Sequence, residues 1–407
     1  MVLDHRPVSE AARLLCRDIG AQLERASTRR YKRGAARQRK FEHAIGAVIA
    51  DLLLAAKRYP DRWSYRLMRA ESFKECYVPY RTARPLLKSL TALGFITRRN
   101  ASYTRATEMF PGAGFATRYR AMPTLLELCL SYRISPGNVD QHFEPQLPRY
   151  PLELRAPARK VRGAKSRGRK IAYEASSTSR RLEDEVREIN EFLRHVEIEG
   201  GIHRGFRRIF NQGTPSGYGW NKGGRLDSLG EGSYQTLKKA ERAQMRLNGE
   251  PVAEVDMRAS YLTILHRLHG CTLDPARDPY AVEGLPREVV KAWVTMTLGH
   301  SRFHTRWTSD NVSRFAQQGI VLGKQYPLRY VHRRVLESLP ILADWPEQGI
   351  DCFDLMYLES EIIVRAMLEL IRNHSAPVLS VHDSLIVRSR DGMTAYSLLI
   401  NKESCRD

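Results

Sequence analysis

Two short apolar segments, each carrying one aspartate, constrain this chain more than any other feature. Residues 251–255 have the composition of a strand that ends at Asp256, and residues 259–268 have the apolar spacing of a helix that packs back onto it. Residues 377–387 form a second strand-like segment, interrupted by a polar turn at Asp383. Two such carboxylates can share two Mg²⁺ ions, with Mn²⁺ as an alternative, because hard divalent cations take oxygen ligands and leave positions for substrate phosphates.

A candidate phosphate-binding helix, residues 286–300, lies between the two aspartates in the chain. Its Arg287 and Lys291 are four residues apart, which puts them on one helix face about one turn apart. Arginine offers a planar fork and lysine a point charge, and both suit phosphate oxygens. The pair can hold a triphosphate, although such pairs are more often an ordinary solvated surface.

Taken in order, these segments resemble the motifs of a known enzyme family. Asp256 followed by Ser260 and Tyr261 resembles motif A of the family A DNA polymerases and the related phage-type single-subunit RNA polymerases. Residues 286–300 resemble motif B, the fingers helix, and residues 381–384 resemble motif C.

This resemblance covers roughly residues 206–387 and implies an α+β fold, in which an antiparallel palm sheet with helices carries small fingers. It also implies template-dependent nucleotidyl transfer, with Asp256 and Asp383 as the catalytic metal ligands. The basic pair of the fingers helix would hold the triphosphate, and His382 would approach the primer end.

Two departures from the family pattern bear on the nucleotide pocket. Tyr261 stands where the DNA polymerases carry a Glu and the RNA polymerases a Gly; it is bulky enough to exclude a ribose 2′-hydroxyl, and a core position is the alternative. Gly299, followed by His300, stands where both branches usually carry a Tyr. The first departure favours deoxynucleotides, whereas the His-Asp-Ser form of motif C is closer to the RNA polymerase branch.

Residues 221–225 resemble the Asp-x-x-Gly-Arg element with which single-subunit RNA polymerases touch the template, except that Asn221 replaces the Asp. Gly224 would let the backbone approach a nucleic acid strand closely, and Arg225 would contact phosphate. A glycine turn with an exposed arginine is the alternative interpretation.

The N-terminal part has the order of a winged helix-turn-helix. Helices are expected at 41–57, near 64–69 and at 82–93, followed by a strand at 95–100 and a return strand at 116–121. In that interpretation five basic residues contact DNA from the third helix and the wing: Arg81, Arg84, Lys88, Arg98 and Arg99. The alternative is a protein-docking winged helix whose basic residues are ordinary surface.

Composition narrows the class of partner. The 407 residues carry a formal net charge of +21, which implies a polyanionic partner, nucleic acid before a membrane. No apolar run is long enough to span a bilayer, and the first residues lack the apolar core of a signal peptide, so we expect no membrane partner. Six scattered cysteines without a CxxC pair indicate neither a zinc site nor a disulfide framework and favour a cytoplasmic location.

The expected layout has four parts. Residues 1–40 form a basic arm or a solvated helical surface, 41–130 the winged helix, 131–180 a basic linker too poor in apolar residues to bury a core, and 181–407 the polymerase-like part. The span between motifs A and B is short, so the fingers are minimal or built partly from residues 309–342.

The function predicted from these features is that of a DNA-directed DNA polymerase of a replicon or mobile element, with DNA template, primer and nucleoside triphosphates as partners. A single-subunit RNA polymerase or primase is the second hypothesis. The third is a non-catalytic DNA-binding replication initiator or regulator, which the short fingers and the missing Tyr keep open.

Overall fold

The structure is a computed structural model. It describes residues 1–27, 31, 33–59, 61–104, 113–161, 164–166, 168–214, 217–230, 232–274, 276–300, 302–345 and 349–400. The chain divides into two compact units, Met1–Arg149 and Tyr150–Asp407, called unit 1 and unit 2 below, and each has its own apolar core. The boundary falls inside the expected linker of residues 131–180.

Unit 1 combines helices with short strands. Its elements in chain order are β1 (His5–Pro7), α1 (Glu10–Arg25), α2 (Ala35–Arg58), β2 (Ser64–Arg66), α3 (Tyr80–Ala92), β3 (Ile96–Arg99), β4 (Ser102–Thr104), β5 (Ala113–Phe115), β6 (Thr117–Ala121), α4 (Pro123–Ser131), α5 (Val139–His142) and β7 (Phe143–Pro145).

Three antiparallel sheets organise the described part of this unit. β6 lies between β2 and β3, β1 pairs with β7, and β4 pairs with β5. The apolar face of α2, which includes Ile45, Val48, Ile49 and Leu52, is fully buried and packs against α1, as its spacing predicts. The predicted strands at 95–100 and 116–121 correspond to β3 and β6.

Two expectations for unit 1 need correction. Residues 64–66 form β2 rather than a helix, because this short segment pairs with β6 and a non-local contact outweighs weak local spacing. The first forty residues do not form a free arm, since they contain β1 and α1, and Leu15 and Ile19 of α1 are wholly buried. Part of the basic run, residues 28–30 and 32, lies outside the described residues.

Unit 2 holds the remaining elements. These are β8 (Leu152–Arg155), β9 (Arg159–Val161), β10 (Ala164–Ser166), β11 (Lys170–Ile171), α6 (Ser177–Leu193), β12 (Ile198–Glu199), β13 (Phe206–Phe210), β14 (Gly223–Ser228), α7 (Lys239–Arg242), β15 (Arg246–Leu247), β16 (Glu250–Asp256), α8 (Ser260–Leu268), α9 (Arg287–Leu298), α10 (Ser309–Ala316), α11 (Leu322–Gln325), α12 (Leu328–Ser338), α13 (Cys352–His374), β17 (Val378–Val381), β18 (Ser384–Arg388) and α14 (Gly392–Ile400).

Two larger sheets form the framework of unit 2. The strands of one are ordered β12-β15-β16-β18-β17 and all pair antiparallel, and those of the other are ordered β11-β8-β13-β14. The long helix α13 packs against β14, β17 and α8, so it contacts both sheets and the helix that follows β16. Its apolar face is buried along most of its length, which is why the periodicity at 358–373 predicts it well.

Part of the expected linker belongs to the core of unit 2. Leu152 and Leu154 of β8 are buried, and β8 pairs in parallel with β13. The sequence does not reveal this strand, because its partner lies about fifty residues further along the chain and sets its register.

The chain as a whole mixes helices with several antiparallel sheets, which is compatible with the α+β class. Among the described residues no disulfide joins the cysteines at 16, 76, 129, 271 and 352, and Cys405 lies outside the described residues. None of the helices that the structure describes is long and apolar enough to cross a membrane.

Candidate active site

The two aspartates predicted from the sequence lie beside each other at one edge of the five-stranded sheet. β16 pairs with β18 so that Asp256 stands opposite Ser384. The β17–β18 hairpin turns through His382 and Asp383, and the backbone N–H of Met257 donates to the carbonyl oxygen of Asp383 at 3.0 Å. The register of these strands therefore brings the two residues, called the acidic pair below, together from distant parts of the chain.

Two left-handed backbone conformations shape this edge. Ala259, immediately before α8, has φ +46°, and His382, in the hairpin turn, has φ +54°. Residues other than glycine adopt such angles at a cost, and they persist where the surrounding structure holds them. Both turns flank the acidic pair, so the strained backbone lies where the sequence predicts the chemistry.

A second group of charges surrounds Asp256. Its side chain is 49% exposed, and its Oδ2 lies 2.6 Å from Nζ of Lys239, whose pKa this hydrogen bond raises. Glu254 on the same strand binds Arg242 through two contacts of 2.7 and 2.9 Å. Burial alone would raise the pKa of Glu254, but the hydrogen bond and charge of Arg242 lower it. An ammonium group thus contacts one carboxylate of the acidic pair.

A buried ion pair supports the other side of the site. Glu359 on α13 has a side chain that is 1% exposed, and its Oε1 accepts from Nε of Arg225 on β14 at 2.8 Å. Its second oxygen accepts from Oγ of Ser260 at 2.7 Å, and Nη2 of Arg225 lies 3.3 Å from the hydroxyl of Tyr261. The Arg225–Glu359 pair therefore fixes the first turn of α8, directly after Asp256.

The charge of Asp383 acts on these same groups. Burial is the main cause of the raised pKa of Tyr261 and of Glu359, and the carboxylate of Asp383 contributes to both increases. Burial also lowers the pKa of His382, and the positive charge of Arg225 lowers it further. Four residues that the sequence singled out separately therefore share one electrostatic environment: Asp383, His382, Arg225 and Tyr261.

Gly224 is required by packing within the chain. Gly223 and Gly224 both have φ +82°, at a register shift between β13 and β14. A Cβ atom on Gly224 would lie 2.9 Å from Oγ of Ser360 and 3.1 Å from the ring of Phe210. The backbone at Gly224, which the sequence suggested would approach a nucleic acid strand, lies close to α13 in the structure. This packing sets Arg225 beside Glu359.

Tyr280 contacts Arg287 at the N-terminal end of α9, and the charge of Asp383 in the site also acts on it. Asp278 accepts from Nε of Arg287 at 2.6 Å, and the Arg287 guanidinium lies 5.3 Å from the centre of the Tyr280 ring. Burial is the main cause of the raised pKa of Tyr280, and the charge of Asp383 adds to it. Lys291, one turn further along, is exposed, and the structure records no ion pair for it among the residues it describes.

Gly299 and His300 lie at the opposite end of α9. The helix has 12 residues, so these two stand about 18 Å along its axis from Arg287. Gly299 has an ordinary right-handed backbone conformation, and the carbonyl oxygen of His300 accepts from the indole N–H of Trp345 at 2.8 Å. Their observed contacts serve the packing of the helix end.

The basic residues predicted to contact DNA in unit 1 are all exposed. Those on α3 occupy the face opposite its buried Leu86, Leu87 and Leu90, and those on β3 lie at its end; they are Arg81, Arg84, Lys88, Arg98 and Arg99. The guanidinium of Arg99 stacks 4.8 Å from the centre of the Trp63 ring.

Sequence reasoning missed Glu359 and Lys239. Glu359 had a usable signal, because an acid inside the apolar face of the helix at 358–373 needs a cationic partner when it is buried. Lys239 had none, since only the fold brings α7 to the end of β16. Neither residue belongs to a recognisable motif.

The acidic pair fits a magnesium ion in donor type and access. Both side chains are at least partly exposed at the end of a sheet, so water and phosphate can complete the coordination. Two protein carboxylates are a normal protein share for Mg²⁺, which keeps several non-protein ligands. Lys239 must move from Asp256 for both oxygens of that carboxylate to bind.

Comparison of this chain with protein-family models, with curated proteins and with solved structures found no match. The function proposed below therefore rests on the sequence motifs and on the geometry of the structure.

Proposed function

We propose that the protein is a template-dependent nucleotidyltransferase, a DNA-directed DNA polymerase with a palm-like unit 2. The observation that carries the proposal is the pairing of β16 with β18, which sets Asp256 beside the turn that holds Asp383. A strand-end acid and a hairpin-turn acid that meet at one sheet edge can together hold the metal ions that two-metal phosphoryl chemistry needs.

The order of the elements supports this proposal. Along the chain, β16 is followed by α8 and then by α9. Helix α13 precedes the β17–β18 hairpin and packs against both of its strands. Helix α12 packs on α9, where the ring of His332 lies 5.5 Å from that of Trp293. The helices between residues 309 and 342 would then serve as the remainder of small fingers.

Each residue of the site has a distinct task in this mechanism. Asp256 and Asp383 would hold Mg²⁺, which when bound activates the primer 3′-hydroxyl and neutralises the leaving pyrophosphate. Arg287 and Lys291 would bind the triphosphate by charge and hydrogen bonding. Tyr261, held by Arg225, would screen the sugar and favour deoxynucleotides.

Unit 1 supports a role as a DNA-binding winged helix. The order α2, β2, α3, β3, β6, with β6 between the other two strands, supports that fold, but strand β2 replaces the expected second helix and β4 and β5 intervene between β3 and β6. Its basic residues on α3 and β3 are exposed, as contact with phosphate requires. Most of the loop that would form the wing, residues 105–112, lies outside the described residues.

One contact favours the non-catalytic hypothesis. Lys239 is 2.6 Å from Asp256 and supplies the positive charge that a metal ion would otherwise supply. A protein that used its acids in this way would bind DNA without turnover, as a replication initiator or regulator does. We therefore keep that function as the second candidate.

Primer extension tests the first proposal directly. A labelled primer on a DNA template is incubated with Mg²⁺ and either deoxynucleotides or ribonucleotides, using wild type, Asp256→Asn and Asp383→Asn. We expect extension by wild type, with loss on the order of 10³-fold in each variant because the charge that binds metal is gone. Asp184→Asn, which changes an exposed acid on α6, is the matched control and should extend normally.

The outcomes separate the candidates. Ribonucleotide extension without a primer would identify an RNA polymerase or primase. Duplex binding without any metal-dependent extension would favour the initiator or regulator, and normal extension by Asp383→Asn would overturn the proposed site.

A further inference from the structure

A histidine and two aspartates of unit 1 form a compact cluster that the proposed polymerase function does not use. Asp4 and His5 lie at the start of β1 and Asp51 lies on α2; one donor atom from each falls within 4.8 Å of the others. We propose that these three residues bind a divalent transition metal ion of the Zn²⁺ type, which fastens the N-terminal strand to α2.

The spacing of the donor atoms fits ligands arranged around one ion. Nδ1 of His5 lies 2.8 Å from Oδ1 of Asp4 and 3.9 Å from Oδ1 of Asp51. With metal–ligand bonds of about 2.0–2.2 Å, the ligand atoms of a tetrahedral ion stand roughly 3.3–3.6 Å apart, which lies between the two distances observed. The cluster therefore needs little movement to accept an ion.

His5 supplies an independent indication of a ligand. The residue is 3% exposed, and its Nδ1 makes no hydrogen bond despite the two carboxylates near it. A buried ring nitrogen without a hydrogen bond costs free energy, and coordination to a metal would satisfy it. The unsatisfied atom lies within 4 Å of an oxygen of each of the two carboxylates of the proposed site.

Asp51 is oriented for the same role. It is 6% exposed, and its Oδ2 accepts from the backbone N–H of Leu3 at 2.9 Å, which leaves Oδ1 on the side of His5. A buried carboxylate is costly unless a cation compensates it, and a bound ion would do so.

The donor set selects the class of metal. An imidazole with two carboxylates suits Zn²⁺, Mn²⁺ and their neighbours better than Mg²⁺, which prefers oxygen ligands alone. Because β1 pairs with β7, the ion would fasten both strands to α2. Its role would be to stabilise unit 1, independently of the acidic pair in unit 2.

Metal retention tests this proposal on the full chain. Asp256→Asn and Asp383→Asn are combined to remove the acidic pair, and the protein is stripped with chelator, exposed to Zn²⁺ or Mn²⁺, and desalted. Elemental analysis should find about one equivalent of ion per chain, and the first thermal transition should rise by several degrees. His5→Gln in the same background should lose both effects.

His142→Gln is the matched control, because His142 lies in unit 1 and contacts Ser9 instead of the cluster. It should retain the ion. If His5→Gln does not fold, X-ray absorption spectroscopy on the zinc-loaded parent protein, which carries only Asp256→Asn and Asp383→Asn, tests the proposal instead. Its spectrum should show one imidazole ligand among oxygen ligands. No retained ion in the parent protein, full retention by folded His5→Gln, or sulfur ligands in the absorption spectrum would overturn the proposal.

Discussion

Several charged side chains of unit 2 are buried, and the stability of the unit depends on the contacts that they make. Arg208 on β13 is fully buried, and it donates to the Gly224 carbonyl at 2.7 Å, to Ser360 at 3.1 Å and to Glu361. Its neighbour in this arrangement is the Arg225–Glu359 pair. A buried ion that loses its partner is strongly destabilising, so these residues tolerate little change.

Replacing Glu359 by Gln should destabilise unit 2. The amide removes the charge opposite Arg225 and weakens the contact with Ser260 while keeping the shape of the side chain. We expect the free energy of unfolding to fall by about 2 kcal/mol, measured by urea denaturation followed by tryptophan fluorescence.

Glu188→Gln is the matched control for this change. Glu188 also binds an arginine through two contacts of 2.7 Å, but both side chains of that pair, Glu188 and Arg372, are exposed. Surface ion pairs contribute less than about 1 kcal/mol. Equal losses in the two variants would contradict a special role for Glu359.

His203 should make unit 2 sensitive to acid. Burial lowers its pKa to about 3, and its Nδ1 lies 2.8 Å from Oγ of Ser228. The unfolded state takes up a proton near the ordinary histidine pKa of about 6.5, whereas the folded state does so only near 3. Stability should therefore fall as pH decreases through this window, by about 1.4 kcal/mol per pH unit from this residue.

His203→Gln provides the comparison, because glutamine does not titrate here and can still bond Ser228. Urea denaturation at pH 7 and pH 5 should show a smaller loss in the variant than in wild type. Parallel losses would mean that His203 is protonated in the folded state.

At the scale of elements, the junction of β14 with α13 should be sensitive to one methyl group. Gly224→Ala puts a Cβ 2.9 Å from Ser360 and also imposes a positive φ on alanine. Gly217 has φ +69° with nothing within 4 Å of a Cβ, so Gly217→Ala has the backbone cost without the clash. We expect Gly224→Ala to lose about 2 kcal/mol more in urea denaturation; equal losses would exclude the clash.

The sequence predicts those elements whose signal is local. The apolar periodicity of α2, α3 and α13 is long enough to identify each helix, and the strands at the acidic pair carry alternating or continuous apolar residues. The helix expected at residues 64–66 and the linker expected at β8 are both strands, since pairing with a distant strand decides their conformation. In the site, Asp256 and Asp383 were predictable as motif residues, whereas Glu359 joins Arg225 across 134 residues.

At the scale of the whole molecule, the positive charge should support DNA binding through the helix face of unit 1. Arg81, Arg84 and Lys88 changed together to Ala in the full chain should weaken binding to duplex DNA. Each lost phosphate contact should also reduce the slope of log K against log salt by about 0.9. Fluorescence anisotropy at several salt concentrations measures both quantities.

The control removes the same charge from α1 of the same unit, by changing the exposed Arg13, Arg17 and Arg25 to Ala. That variant should keep most of its affinity. If both triple variants lose affinity equally, binding depends on net charge rather than on the α3 face.

The pairing of β16 with β18 also has a consequence for synthesis of the chain. Oγ of Ser384 contacts Glu254 across 130 residues, so the sheet edge that carries the acidic pair closes only after a late segment has been translated. Until that segment has been translated, Asp256 has no Asp383 beside it. A chain whose translation stops before β18 therefore lacks the assembled acidic pair. Any metal-dependent chemistry at that sheet edge is then limited to molecules that have been synthesised past the β17–β18 hairpin.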